Sequence, residues 1–303
     1  MADGSGNQPP AQVHAHYDAI AEGYSDQYRR DALYKRQRYP GNYFRLQLLL
    51  NSFIEKGVKR VIEVGVGEGT PLATLAGAGI DVWGFDISEK MVERSRETVE
   101  KLGISRERIF WGDVEDPITY AHSLREGQFD GLMAMGVMPH IANDDMVLRN
   151  MSAMVRPGGS VFIEFRNKLF SLFTFNRYTY EFVMDDLLTG VAPAVRDVVS
   201  EELKARVRMD VPPVRATTDS GTGPGYDVIL SRFHNPFEAP ELFERHGFTD
   251  IKLHWYHYHP AMPVLESQIG EQFRKEAFRL EHEPSGWKGY FLCSAYVVEA
   301  VKR

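Results

Sequence analysis

The chain has 303 residues, of which 42 are acidic and 35 basic, for a formal charge of −7. A net negative protein of this size can bury a large core but has no global attraction for a phosphate backbone or an anionic bilayer, which excludes nucleic acid and membranes as primary partners. One cysteine, Cys293, cannot form an internal disulfide; it sits in an apolar run that predicts a buried strand, and it suits a reducing, cytoplasmic setting.

Residues 1–12 are polar and rich in Gly, Pro and Gln, and they predict a disordered tail without an apolar signal. A helix is expected over 43–56, ending at Gly57, followed by a buried strand at 60–64 and a tight loop over 65–69. A short helix precedes a second strand at 81–85. Ser88 then caps a helix running to Leu102, and Gly103 suits its left-handed stop. Further strands are predicted at 109–111, 129–135 and 160–165. The last of these follows a helical stripe of Met146, Val147, Met151, Met154 and Val155 and a Pro157-Gly158-Gly159 turn. Short apolar runs alternating with helices build a parallel sheet covered on both faces. The alternation stops over 167–233, which reads as an insertion with a helix around 185–207. It resumes with a helix at 241–246, a strand at 251–259, an amphipathic segment at 263–279 and a last strand at 291–298.

Glycines where a strand turns into a helix let backbone amides approach a ligand, and open sheets bind ligands at the carboxyl ends of their strands. Glu63-x-Gly65-x-Gly67-x-Gly69 is such a loop, with Thr70 where the dinucleotide fingerprint wants its third glycine. Asp86 closes the second strand, where a carboxylate can accept from both hydroxyls of a ribose. These two features suit a nicotinamide-dependent oxidoreductase as well as a methyltransferase. The discrimination comes from Gly112-Asp113-Val114 after the third strand, Phe129-Asp130 opening the fourth, and Val155-Arg156-Pro157-Gly158-Gly159 before the fifth. In order and spacing these motifs resemble class I S-adenosylmethionine-dependent methyltransferases across residues 60–166.

The resemblance implies a seven-stranded, mostly parallel Rossmann-like α/β sheet with helices on both faces, its last strand antiparallel, and an inserted substrate cap. It implies that Glu63, Gly65 and Gly67 surround the methionine part of S-adenosyl-L-methionine and that Asp86 holds its ribose. Ile87 and Val114 would flank adenine, Asp113 would accept from its amino group, and the backbone at Met135 and Gly136 would lie beside the sulfonium. Tyr17-Asp18-x-x-Ala21-x-x-Tyr24 resembles the helix that small-molecule members close over the cofactor, with Tyr17 and Tyr24 on one face. The expected organisation is therefore a tail (1–12), N-terminal helices closing the cofactor site (13–57), a cofactor-binding core (58–166), a cap (167–233) and the remainder of the core (234–303).

A hydroxyl acceptor must lose a proton, and His140 leads from the fourth strand into the cleft, so it is the candidate base. Glu164, Arg166 and Asn167 end a strand that should be buried on both faces, which places Arg166 to hold a substrate anion and Glu164 to fix that arginine. Tyr178, Tyr180 and Tyr226 are candidates for the acceptor pocket, with His234 and His257 as alternative bases. His254, His257 and His259 lie on one predicted strand, but no further ligand spacing completes a metal site, so no metal is expected. The expected reaction is methyl transfer to a hydroxyl of a small metabolite, a sugar or natural product. N-methylation of an amine or amino sugar, and a non-catalytic cofactor-binding regulatory protein, are the alternatives. A homodimer is compatible with the sequence.

Overall fold

The computed structural model describes residues 10–21 and 41–303. Its first helices are α1 (Pro10–Ile20) and α2 (Gly41–Glu55). β1 (Arg60–Val64), α3 (Thr70–Gly77), β2 (Asp81–Asp86), α4 (Glu89–Glu100) and β3 (Ile109–Trp111) follow. Next come β4 (Phe129–Ala134), α5 (Asp144–Met154) and β5 (Val155–Arg166). The seven strands form one sheet in the order β3-β2-β1-β4-β5-β7-β6, where β6 is Phe248–Tyr258 and β7 is Cys293–Lys302. β7 runs antiparallel to both its neighbours, and the other pairs are parallel. This is the Rossmann-like methyltransferase architecture that the motif series implies.

The buried strands read as continuous apolar runs because both faces of the sheet are covered. Ile62, Leu132, Ile163 and Phe165 pack in the cluster that includes α5 residues such as Leu148 and Met151. Their neighbours Val61, Met133 and Phe162 join Leu49 and Phe53 of α2 on the other face. Period-2 geometry thus splits each strand between two cores. Gly131 is needed for that second face, because a Cβ there would stand 2.7 Å from the Phe53 ring.

Several boundaries differ from the sequence expectation. Helix α1 already starts at Pro10, inside the expected tail; residues 1–9 of that tail lie outside the described residues. The Pro157-Gly158-Gly159 segment is an irregularity inside β5, opposite a register shift in β4, and not a turn ahead of the strand. The expected helix over 185–207 is two elements, a π-helical turn at Phe182–Leu187 and α6 (Pro193–Arg206), separated by a turn with Gly190 at φ 79°, and Pro193 opens the second. Beyond α7 (Ala239–Arg245), β6 carries Asp250 and His257 at positive φ. The amphipathic segment becomes short turns ahead of α8 (Glu271–Leu280). Residues Gly289–Leu292 form a helical turn, so β7 begins at Cys293, which is fully buried. Among the described residues, no helix is long and apolar enough to cross a membrane.

Candidate active site

The strand order reverses between β1 and β4, and a cavity of about 410 Å³ opens at their carboxyl ends, where a doubly wound sheet leaves room for a ligand. Gly65 and Gly67 form one wall. Both have positive φ, and Gly65 donates its N–H to the Phe85 carbonyl at 2.9 Å, which bends the chain back against β2. Asp86 forms the next wall. Its Oδ2 accepts from the Gly67 N–H and its Oδ1 from the Ser88 N–H, each at 2.9 Å. Each oxygen keeps a further lone pair, the capacity a vicinal diol needs. Burial raises the Asp86 pKa, while the backbone N–H groups of Ser88, Gly67 and Ile87 oppose that rise.

Ile87, Asp113, Val114, Met135 and Gly136 also line the cavity. Asp113 is oriented by its Oδ1, which accepts from the Glu115 N–H at 2.9 Å. Glu63 lies one step back in β1, buried, with its pKa raised well above the usual range by burial; Arg45 opposes that rise and the Glu68 and Asp86 carboxylates add to it. Its Oε2 is buried without a hydrogen-bond partner. An orphaned carboxylate oxygen behind a glycine cradle, beside an aspartate with spare acceptor capacity, fits a ligand that carries an ammonium group and a ribose.

Helix α1 lies across the cavity and contributes Val13 and Tyr17. Asp18 anchors it by accepting from the Ser88 hydroxyl at the start of α4, and His16 Nδ1 donates to the Pro224 carbonyl at 2.7 Å. Tyr24, the expected partner of Tyr17, lies outside the described residues.

His140 is aimed into the same cavity by local geometry. Gly136 at φ 76° turns the chain after β4, and buried Met138 anchors the 3-10 turn Met138–His140. The Nδ1–H of His140 donates to the Leu230 carbonyl at 2.7 Å, since a carbonyl can only accept; Nε2 therefore carries the lone pair and accepts from the Tyr17 hydroxyl at 2.8 Å. Burial pushes the His140 pKa down to about 4, with Arg166 and His16 adding to the effect and the Leu230 bond opposing it. The imidazole is neutral at physiological pH.

Of the expected acceptor residues, Tyr226 and Arg166 stand next to His140. The Tyr226 ring is 5.4 Å from the His140 ring, and the Arg166 guanidinium carbon is 4.2 Å from the Tyr226 ring centroid. The others are placed differently. Glu164 pairs with Arg45 of α2 instead of fixing Arg166, which joins Ser231 Oγ at 3.2 Å. The Asn167 amide is fully buried and donates to the carbonyls of Tyr290 and Cys293 at 2.8 Å while accepting from Leu169 N, so it ties β5 to β7 and its donors are committed within the protein. Tyr180 bonds Ser200 of α6, and Tyr178 stacks on Arg177 and Phe233, one layer out from Arg166. His234 packs on Phe165 and faces Asp144, away from the cavity. His257 is held neutral, its pKa pushed down to about 4 by burial, Arg166 and Arg45, and its ring lies 4.9 Å from that of His259. His254 pairs with Glu299 at 2.6 Å, and the described residues contain no cluster of three or more His, Cys, Asp or Glu able to hold a metal ion.

Two participants escaped the sequence reading. Leu230 acts through its carbonyl, which no side-chain pattern marks. Arg45 had a signal, a charged residue at helical spacing with Leu49 and Phe53 on the buried face of α2.

A family model described as a methyltransferase domain matches residues 61–159. The match runs from β1 into β5, so the part of the sheet that lines the cavity is similar to a methyltransferase domain. The chain is 28% identical over 152 residues to the ubiquinone biosynthesis O-methyltransferase of Aromatoleum aromaticum (48% of this chain), and 30% identical over 150 residues to that of Bordetella avium (50% of this chain). It spans 60% of the length of each of these relatives. The magnesium protoporphyrin IX methyltransferase of Synechocystis PCC 6803, solved with bound SAH, shares the fold at a TM-score of 0.51 and 14% identity, over 97% of this chain and 100% of that one.

Proposed function

We propose that this methyltransferase moves a methyl group from S-adenosylmethionine to a hydroxyl of a small molecule, a sugar or other natural product, with His140 receiving the proton. The observation that carries the reading is the fixed tautomer of His140, which presents Nε2 to a hydroxyl inside the cofactor cavity. The similarity to ubiquinone biosynthesis O-methyltransferases supports an oxygen acceptor. Asp86 would hold the ribose, Asp113, Ile87 and Val114 the adenine, and Glu63, Gly65 and Gly67 the methionine end, with Met135 and Gly136 beside the sulfur and Tyr17 closing from above.

When bound, the cofactor supplies an electrophilic methyl group on a sulfonium. The protein's own contribution is alignment, water exclusion and the proton. A neutral His140 beside a bound cation keeps its lone pair, which is what burial and Arg166 ensure. The acceptor hydroxyl takes the position of the Tyr17 hydroxyl, donates to Nε2, and transfers its proton there as the oxygen attacks. The Leu230 carbonyl keeps Nδ1 protonated and stabilises the imidazolium that forms.

His140→Ala is expected to keep S-adenosylhomocysteine binding, read by calorimetry, and to lower kcat on hydroxyl acceptors about 100-fold or more. The acid limb of the wild-type kcat/KM profile should fall near pH 4, well below the ordinary histidine value of 6.5. Unchanged turnover across pH in the variant removes His140 as the base, and methylation confined to amines moves the acceptor atom to nitrogen.

A further inference from the structure

Arg166, at the end of β5, differs from Arg45, Arg215 and Arg232 around it. Arg45 pairs with Glu164, Arg215 with Asp227 at 3.0 Å and Arg232 with Asp144 at 2.8 Å. Arg166 makes no ion pair with any described residue. Its contacts are the hydrogen bond to Ser231 Oγ and the rings of Tyr226, at 4.2 Å, and Phe233, at 5.4 Å. A guanidinium has five N–H donors in a planar fork, and a half-buried one without a counter-ion has lost hydration that the one Ser231 bond replaces only in part. The two rings contribute cation–π contact and no anionic partner.

The surroundings are as informative as the fork itself. The nearest imidazoles, His140 and His257, are both neutral, so neither competes for an anion nor balances one. Tyr226 packs against both His140 and Arg166, so the candidate base and the fork share one neighbour. The chain returning from the cap holds both: Leu230 accepts from His140, Ser231 accepts from Arg166, and His234 N donates to the Arg166 carbonyl at 2.8 Å.

We propose that Arg166 seats a carboxylate of the acceptor in a bidentate pair, so that the substrate class is small hydroxy acids whose hydroxyl reaches His140 while their carboxylate sits on this fork. The inference rests on the methyl-transfer reading and names its substrate class. A single ring bearing a hydroxyl and a carboxylate has the size to bridge two groups that touch the same tyrosine. Arginine suits this task better than lysine because its fork matches a carboxylate edge to edge.

The test is calorimetric binding in the presence of saturating S-adenosylhomocysteine, with 3,4-dihydroxybenzoate, its uncharged methyl ester, and phenyl phosphate as probes. The wild type is expected to bind the acid at least about 10-fold tighter than the ester, the factor that one charge-assisted hydrogen-bonded contact supplies. Arg166→Met should erase that preference while leaving S-adenosylhomocysteine affinity intact, which also reports that the variant folds. Arg166→Lys, which keeps the charge and loses the fork, should fall between the two. Equal binding of acid and ester by the wild type, no binding of the acid, or a preference that survives in Arg166→Met overturns the proposal. Tighter binding of phenyl phosphate than of the acid overturns the carboxylate assignment. Binding is read without turnover, so a His140 variant that keeps the acid preference but not its turnover pattern bears on the base, and loss of preference in the arginine variants bears on this site.

Discussion

Gly65 sits at φ 72°, and a Cβ built on it would stand 2.5 Å from Cγ2 of Val137, a residue on the far wall of the same cavity. The backbone conformation and the close approach both demand glycine, so Gly65→Ala should weaken S-adenosylhomocysteine binding by tenfold or more in calorimetry and cost about 1–3 kcal/mol in urea denaturation. An alanine variant with wild-type affinity would show that the loop does not shape the site. The placement of Gly65, Asp86 and His140 around one cavity was legible in the sequence because it follows from residue type and position along a strand end. Asn167 was not. At a strand end it reads as ligand-facing, yet its partners are the carbonyls of Tyr290 and Cys293, more than a hundred residues away in the chain. The bond between Tyr17 and His140 was hidden for the same reason, since each residue was singled out but nothing in the sequence joins them.

A buried link between elements next to the proposed acceptor side is the pair of Arg45 on α2 and Glu164 on β5. Glu164→Ala leaves a buried guanidinium with its main partner removed, and the expected loss is about 3–5 kcal/mol by urea denaturation. Replacing both partners with apolar residues, Arg45→Met with Glu164→Leu, should recover most of it; failure to recover would mean that the pair is needed for reasons beyond charge balance. Strand and helix order was readable because period 2 and period 3.6 patterns are local. The elements that were misread are those where tertiary contacts override pattern, such as the start of β7, where Gly289–Leu292 turns helically beneath Trp255. The cap was the least legible part: a helix was expected over 185–207, where α6 lies without a buried residue, but the short helical turns between Lys168 and Leu187, which bury Leu169, Phe170, Phe182 and Met184, were not anticipated.

Across the whole molecule, the cavity at the switch point and the proposed acceptor groups at the end of β5 are joined through helix α1. Helix α1 meets the cap where Gly223 packs on Ala15 and Ala19; a Cβ on Gly223 would stand 2.7 Å from that of Ala19. The His16 bond to Pro224 lies beside this contact, and Tyr17 of the same helix rests on His140. The position that the acceptor hydroxyl must take is therefore built on the piece that roofs the cofactor. In the proposed reaction this fixes a sequence of events in steady-state kinetics: the cofactor enters first, the acceptor second, and S-adenosylhomocysteine leaves last. S-adenosylhomocysteine should then inhibit competitively against S-adenosylmethionine and non-competitively against the acceptor, whereas a random-order pattern would mean that the acceptor reaches His140 by a route independent of the α1 roof.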